Sequence, residues 1–436
     1  LNRIEIKIGG PLRGEVSSPP DKSISHRAVI ISSIAEGRSH IRNLLNAEDP
    51  LRTIEAFRNM GIRIEAKRQS RGDKQQMAEL VVYGGGLNGL REPSGIIDCG
   101  NSGTTMRLLS GVLAGQPFPA TLTGDASLRR RPMQRIITPL RQMGAMIESE
   151  GGHPPLNIKG GRLRPIRYES PIASAQVKSA ILLAGLYCDG YTSVIEPARS
   201  RDHTERMLMS AGAEVSIKDL EVGVRGPSRL APLDITIPGD FSSSAFFIVA
   251  ASIVAGSDIL IRESGINPTR TGLVDVIKAM GGEIRFMNIR DVSGEPVADI
   301  HVRHSRLKGI EIGGDMIVKA IDEFPIICVA ASVAEGVTRI RDAGELRVKE
   351  SDRISTMATE LRKMGVVVEE QDDGIVIEGQ ERLNAAVLHS HGDHRVAMAM
   401  AVAGLVADGV TIIEDTECIN TSFPGFMDAL MSLVRG

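Results

Sequence analysis

Tryptophan is absent from the chain, and phenylalanine and tyrosine together bring the aromatic share of its 436 residues to only 3%. So few stacking surfaces disfavour a protein that reads nucleic acid through its bases. Charge does not make up for them. The 51 Lys and Arg stand against 54 Asp and Glu, a net charge of −3, so nothing draws the chain generally to polyanions or anionic membranes. Long apolar runs are missing too: the longest reach about a dozen residues, short of the roughly 20 that a membrane span requires. Four cysteines, Cys99, Cys188, Cys328 and Cys418, have neither metal nor redox spacing and read as reduced thiols of a cytoplasmic protein. The stretch Leu1 to Lys7 alternates charged and apolar residues as a strand does, unlike a signal peptide. There is no low-complexity segment, and the length exceeds one ordinary core, so two domains are expected.

What is present is one grammar used six times. Asp21-Lys22-Ser23-Ile24-Ser25-His26-Arg27 precedes an apolar run closed by Gly37, with N-cap residues at its head and a glycine as its stop. Asn101-Ser102-Gly103-Thr104 opens a run to Gly115, Ser174-Ala175-Gln176 one to Gly190, and Asp240-Phe241-Ser242-Ser243 one to Gly256. Asp322-Glu323 opens one to Gly336, and Asp393-His394-Arg395 one to Gly409. Runs apolar nearly all round mark buried helices. Their polar residues collect at the N-termini, where free N–H groups and the helix dipole favour an anion.

Amphipathic helices alternate with these, ending at Met60-Gly61, Met143-Gly144, Ala211-Gly212, Met280-Gly281 and Met364-Gly365, with a last one from Pro424 to Val434 before Gly436. Each glycine suits a left-handed C′ position, and the spacing of roughly 70 to 85 residues marks a repeat. The unit reads strand, buried helix, strand, amphipathic helix, then one or two strands, with three units before about residue 238 and three after it. The expected fold is α/β, with two pseudo-threefold domains whose buried helices point their N-termini at a shared cleft. The predicted division gives residues 1–14 and 239–436 to one domain and 20–236 to the other, with hinge crossings near 15–19 and 237–239.

Single motifs decide little. Lys22-Ser23 lacks the glycines of a P-loop. His389-Ser390-His391-Gly392-Asp393-His394 spells the H-x-H-x-D-H zinc signature of metallo-β-lactamases, but no histidine follows His394 to complete such a site. Only Asp393-His394-Arg395 is therefore carried forward, and no metal is expected. The cations Lys22, Arg27, Arg131, Arg201, Lys349, Arg353 and Arg395 imply ligands with several negative charges, such as phosphate plus carboxylates. Asp322 and Glu350 are the acid–base candidates among them.

An ordered set of segments resembles the 5-enolpyruvylshikimate-3-phosphate synthases (3-phosphoshikimate 1-carboxyvinyltransferases) across essentially the whole chain. The set is Asp21-Lys22-Ser23 through Arg27, Gly100-Asn101-Ser102-Gly103-Thr104, Arg131-Pro132-Met133, Ser174-Ala175-Gln176, Arg347-Val348-Lys349-Glu350 with Asp352-Arg353, and Asp393-His394-Arg395. Ser174 to Lys178, Arg201 to Glu205 and Asn267-Pro268-Thr269-Arg270 look like the class II branch. The resemblance implies two inside-out α/β domains, each of three βαβαββ repeats around buried helices. It implies transfer of the enolpyruvyl group of phosphoenolpyruvate to the 5-hydroxyl of shikimate 3-phosphate, in aromatic amino-acid biosynthesis. The reaction passes through a tetrahedral intermediate and releases inorganic phosphate. No cofactor, nucleic acid or membrane is implied, and a cytoplasmic monomer is expected.

By the same resemblance, shikimate 3-phosphate would be held by Lys22, Ser23, Arg27, Ser174, the Ala175 backbone, Gln176, Arg201, Asp322 and Lys349. Phosphoenolpyruvate would be held by Lys22, Gly103, Arg131, Gln176, Arg353 and Arg395. Asp322 would act as base on the 5-hydroxyl, with Glu350 and Lys22 serving proton transfer at the methylene carbon. Two positions depart from the pattern. Class II members commonly carry Ala at Gly103, a residue associated with glyphosate tolerance, and many class I members carry Lys at Thr421. The rival inside the fold is UDP-N-acetylglucosamine enolpyruvyl transferase, whose reactive Cys is missing from the Asp125 to Arg131 loop. A non-catalytic phospho-anion-binding protein is the rival from another class; it would need the cations but neither Asp322 nor Glu350.

Overall fold

The computed structural model describes residues 2–7, 9–71 and 74–434. Among them, helices of eight or more residues form six pairs: α1 (Lys22–Ile34) with α2 (Glu48–Asn59), α3 (Gly103–Ala114) with α4 (Gln134–Gln142), and α5 (Ala175–Gly185) with α6 (His203–Ser210). The other three pairs are α7 (Phe241–Ile253) with α8 (Gly272–Ala279), α9 (Phe324–Ser332) with α10 (Arg353–Lys363), and α11 (His394–Gly404) with α12 (Phe426–Val434). The first helix of each pair is buried over nearly its whole length; α9 and α11 are buried throughout. The second buries one face. Residues 1 and 436, named above as a strand start and a helix stop, lie outside the described residues.

Five of the amphipathic helices end in the same Schellman geometry. Gly61, Gly144, Gly212, Gly281 and Gly365 have φ of 87°, 108°, 83°, 95° and 85°. In each case the glycine N–H and the next N–H turn back to carbonyls of the last helical turn, as in Gly61 to Arg58 and Ile62 to Phe57. Only a residue without Cβ occupies this left-handed position at no steric cost. An arginine in the last turn adds a second tie in three repeats: Arg58, Arg141 and Arg362 donate to the carbonyls of Ile64, Ile147 and Val368. The buried helices end differently from expectation. Apart from Gly115, which is the C-cap of α3, the glycines at 37, 190, 256, 336 and 409 are not helix stops. The helices end three to five residues earlier, and these glycines take positive φ in the turns that start the next strands.

Two compact units result. The N-half unit comprises Pro20–Ile237 and Val292–Glu295; the C-half unit comprises Leu1–Pro19, Pro238–Asp291 and Pro296–Gly436. Each has its own apolar core. In the C-half core, Phe247 packs against Phe423 with ring centroids 5.9 Å apart. Truncation of such a buried ring to Ala costs about 3–5 kcal/mol.

The sheets of the N-half unit are four-stranded, with one parallel pair and two antiparallel pairs. One runs Ile97–Asp98, Pro119–Thr123, His153–Lys159, Met146–Glu150 in space, and another Arg167–Glu169, Gly190–Ile195, Glu221–Gly226, Val215–Lys218. In the C-half unit, Glu311–Ile312, Val337–Ile340, Gly374–Glu378 and Val367–Gln371 repeat the order. The chain trades strands where it passes between units. Arg13–Ser17 precedes α1 yet pairs in parallel with Asp258–Gly265, which follows α7. Asp234–Thr236 precedes α7 yet pairs in parallel with Glu36–Arg42, which follows α1. Counting repeats straight along the chain hides this exchange. The last C-half sheet is closed by the N-terminal strand: Arg3–Lys7 runs antiparallel to Val410–Glu414, which also pairs with Val387–His389.

Candidate active site

In the N-half unit, the N-termini of α1, α3 and α5 come together. Asp21 caps α1 by accepting the Ile24 N–H at 2.8 Å, Ser102 caps α3, and Ser174 caps α5. Lys22, at the first turn of α1, reaches Asp49 at 3.2 Å. Arg27, one turn further on, is buried and joins three elements: it donates to the Ser23 carbonyl at 3.0 Å, Ser179 Oγ at 2.9 Å and Thr204 Oγ1 at 2.7 Å. Gln176 bridges α5 to α3, taking the Arg107 Nη1 donor at 2.7 Å and giving its amide to Thr104 at 2.9 Å. Arg131, also buried, donates to Asn101 at 2.6 Å. A methyl group on Gly103 would lie 2.8 Å from Arg107 Nη1 and 3.3 Å from Arg131 Nη1. Lys22, Arg27, Gly103, Arg131, Ser174 and Gln176 thus share one end of the unit. Arg201 precedes α6, whose Thr204 meets Arg27, so its loop abuts the same cluster.

The C-half unit does the same with acids added. Asp393 caps α11 and is fully buried; it takes Arg353 Nε at 2.8 Å. Arg353 is itself 1% exposed and also reaches Glu350 at 2.8 Å and Asp322 at 3.4 Å. Burial works against its charge, but Asp393, Glu350 and Asp322 outweigh that, so the guanidinium stays firmly protonated. Asp322 faces two more cations, Lys349 at 3.9 Å and Arg395 at 3.8 Å. Arg395 donates to the Asp322 carbonyl at 3.0 Å and lies 3.7 Å from buried Glu323. Glu323 accepts the hydroxyl of Ser242 at the head of α7, so the three buried helices meet here as well. Asp322 is not a helix cap, as its place at the head of an apolar run would suggest. It stands in a 3₁₀ turn, Ile321–Glu323, and its carboxylate turns toward the cations.

Two histidines of the zinc-like spelling have carboxylate partners. His389 Nδ1 meets Glu414 at 3.2 Å, and His391 Nε2 meets Glu360 at 2.9 Å. Among the described residues, no group of three or more His, Cys, Asp or Glu is arranged to hold a metal ion. Thr421 turns its hydroxyl to the Cys418 carbonyl at 2.7 Å. Several members of the two clusters escaped the sequence reading. Arg107 lies four residues past Gly103 and hence on the same helix face, a spacing that would have pointed to it. Glu323, beside Asp322 at the head of its apolar run, carries no sequence signal of its own. Asp49 and Ser179 have no local signal, because their partners lie 27 and 152 residues away, and Thr204 lies in the family-like Arg201 to Glu205 segment without a role of its own.

Two α/β units whose helix N-termini assemble cations, with titratable acids set closely around Arg353 in one of them, define a protein built to bind and transform small anions. The comparisons give the family. The model of the EPSP synthase (3-phosphoshikimate 1-carboxyvinyltransferase) family matches residues 6–430. A 3-phosphoshikimate 1-carboxyvinyltransferase of Citrifermentans bemidjiense is 54% identical over 437 residues, covering 100% of both chains. One from Desulforamulus reducens is 53% identical, covering 97% of each. The solved EPSP synthase of Acinetobacter baumannii superposes with a TM-score of 0.86 at 44% identity, covering 99% of this chain and 98% of that one. The chain belongs to the EPSP synthase family and has its two-domain enolpyruvyl transferase fold.

Proposed function

We propose that this chain transfers the enolpyruvyl group of phosphoenolpyruvate to the 5-hydroxyl of shikimate 3-phosphate and releases inorganic phosphate. The observation that carries the reading is the Asp322 carboxylate, set among Lys349, Arg353 and Arg395 at 3.9, 3.4 and 3.8 Å. In this reading shikimate 3-phosphate is held by Lys22, Ser23, Arg27, Ser174, Ala175, Gln176, Arg201 and Lys349, and phosphoenolpyruvate by Lys22, Gly103, Arg131, Gln176, Arg353 and Arg395. Asp322 accepts the 5-hydroxyl proton as that oxygen attacks the enol carbon, while Glu350 or Lys22 protonates the methylene. The tetrahedral adduct then expels phosphate. These cations neutralise two mutually repelling anions and stabilise the charge of the transition state. The enzyme works without a cofactor, as a monomer in the cytoplasm; the free, buried thiols Cys99, Cys188 and Cys328 support a reducing compartment.

The test is phosphate release from the purified chain. Release is expected only when both substrates are present. Release with UDP-N-acetylglucosamine in place of shikimate 3-phosphate would move the chain to the sister activity. Binding of both anions without release would leave a non-catalytic binder.

A further inference from the structure

Three charged side chains lie fully buried in the N-half unit and take no part in the proposed chemistry. Lys178 on α5 is 1% exposed, and its Nζ stands 2.7 Å from Glu196 Oε2 and 2.7 Å from Glu205 Oε1; these carboxylates are 2% and 1% exposed. Taking such ions out of water costs several kcal/mol each, so a core of this kind gains little stability over an apolar one. Burial opposes the charge of Lys178, but Glu205 and Glu196 outweigh it and keep the ammonium protonated. Its position in the unit shows what the cluster does.

Glu196 and Lys178 grip one residue of the loop between them. The Ser200 hydroxyl donates to Glu196 Oε1, its N–H donates to Glu196 Oε2 at 3.4 Å, and its carbonyl accepts from Lys178 Nζ at 3.4 Å. The next residue is Arg201. On its other side the chain enters α6, where Thr204 meets Arg27 Nε at 2.7 Å and Ser179 Oγ at 2.6 Å, and where Glu205 closes the triad. The loop carrying Arg201 is thus bolted at both ends to α5, through Lys178 and Ser179.

We propose that the buried Lys178–Glu196–Glu205 triad is a positioning device that holds the Arg201 loop in the geometry needed to take the phosphate of shikimate 3-phosphate. The proposal rests on the phosphate-binding reading of Arg201. The triad touches no substrate; it acts through Ser200 on its neighbour. Two variants keep the buried ammonium paired: Glu196→Gln, which is isosteric, and Ser200→Ala, which removes one hydroxyl and is the safer of the two for folding. Each is made alone and together with Arg201→Ala, and steady-state kinetics are measured for both substrates. Glu196→Gln should raise the KM for shikimate 3-phosphate about tenfold and Ser200→Ala about threefold, with the KM for phosphoenolpyruvate nearly unchanged. Neither change should add anything in the Arg201→Ala background, because the two sites then act as one. An unchanged shikimate 3-phosphate KM in both single variants, while Arg201→Ala raises it, would overturn the positioning role. So would equal rises in both KM values, or an undiminished effect without Arg201. If Arg201→Ala itself leaves that KM unchanged, the phosphate reading fails, and the proposal falls with it.

Discussion

At the heads of its buried helices the N-half unit sets Arg27, Arg107 and Arg131 against hydroxyl, carbonyl and amide oxygens, whereas the C-half unit wraps Arg353 in three carboxylates. The framework is the same in both: paired helices, a buried member and a polar N-terminus. The chemistry differs because the residues at the caps differ. Neutral acceptors orient a guanidinium through its N–H groups, which in the proposed reading suits a unit that grips anions. Carboxylates compensate the charge and are themselves oriented by it, which suits a unit that moves protons. In the proposed reading, one repeat thus serves both binding and proton transfer through a handful of side chains.

The sharpest break of this comparison is Asp322→Asn. The asparagine keeps the shape but not the basicity, so turnover should fall about a hundredfold or more while both KM values stay within a few-fold. Because Asp322 caps no helix, any fall in the thermal midpoint reports its lost ion pairs with Lys349, Arg353 and Arg395 and not a lost cap. Turnover within a few-fold of the parent would remove Asp322 as the base and leave the C-half unit another binding surface.

Arg353→Lys and Arg27→Lys test the electrostatic contrast directly. A lysine keeps the charge but loses the planar fork. At 353 it abandons buried carboxylates, and the loss should be about 3 kcal/mol. At 27 it abandons hydroxyl and carbonyl acceptors, and about 1 kcal/mol is expected. Denaturant unfolding of the two variants measures both. Equal losses would mean that the difference in partners has no energetic meaning.

Much of this architecture is legible in the order of residues, because it is local. Gly61, Gly144, Gly212, Gly281 and Gly365 announce their helix ends from a few neighbours, and Asp21 and Asp393 announce two of the starts. The exchange of Arg13–Ser17 for Asp234–Thr236 is not legible, since either strand would fit the helix that follows it in sequence. Glu196 is likewise silent until folding brings it to Lys178, 18 residues away, and Arg107 hides inside an apolar run. Most of the candidate site is named by resemblance to a family. What the residues alone supply is the inventory of cations and acids.

Two smaller effects sharpen the picture. A methyl at Gly103 would press on Arg107 and Arg131, both at the end of the N-half unit where its buried helices begin. Gly103→Ala should raise the glyphosate Ki by clearly more than the phosphoenolpyruvate KM, with a gap near tenfold corresponding to about 1.4 kcal/mol. Parallel rises would show that the methyl acts by displacing the arginines and not by crowding the longer ligand. The smallest effect belongs to chelation. His389 and His391 are engaged by Glu414 and Glu360, so EDTA should leave activity unchanged, and loss of activity restored by zinc would reverse that reading.

The pairing of Arg3–Lys7 with Val410–Glu414 sets a timetable for the growing polypeptide. As the ribosome works, the first sheet of the N-half unit is complete in strands once Asp234–Thr236 has emerged, and the other two sheets earlier still. The head of the chain waits far longer. Arg13–Ser17 has no partner until Asp258–Gly265 is made, and Arg3–Lys7 none until Val410 has left the exit tunnel. The entropy of closing so long a loop grows slowly, by about 0.6 kcal/mol for each doubling of its length. Delay is the larger cost, because an open strand edge invites the wrong partner. The half of the enzyme that carries Asp322 is therefore the half whose first strand stays unpaired until Val410–Glu414 has been made.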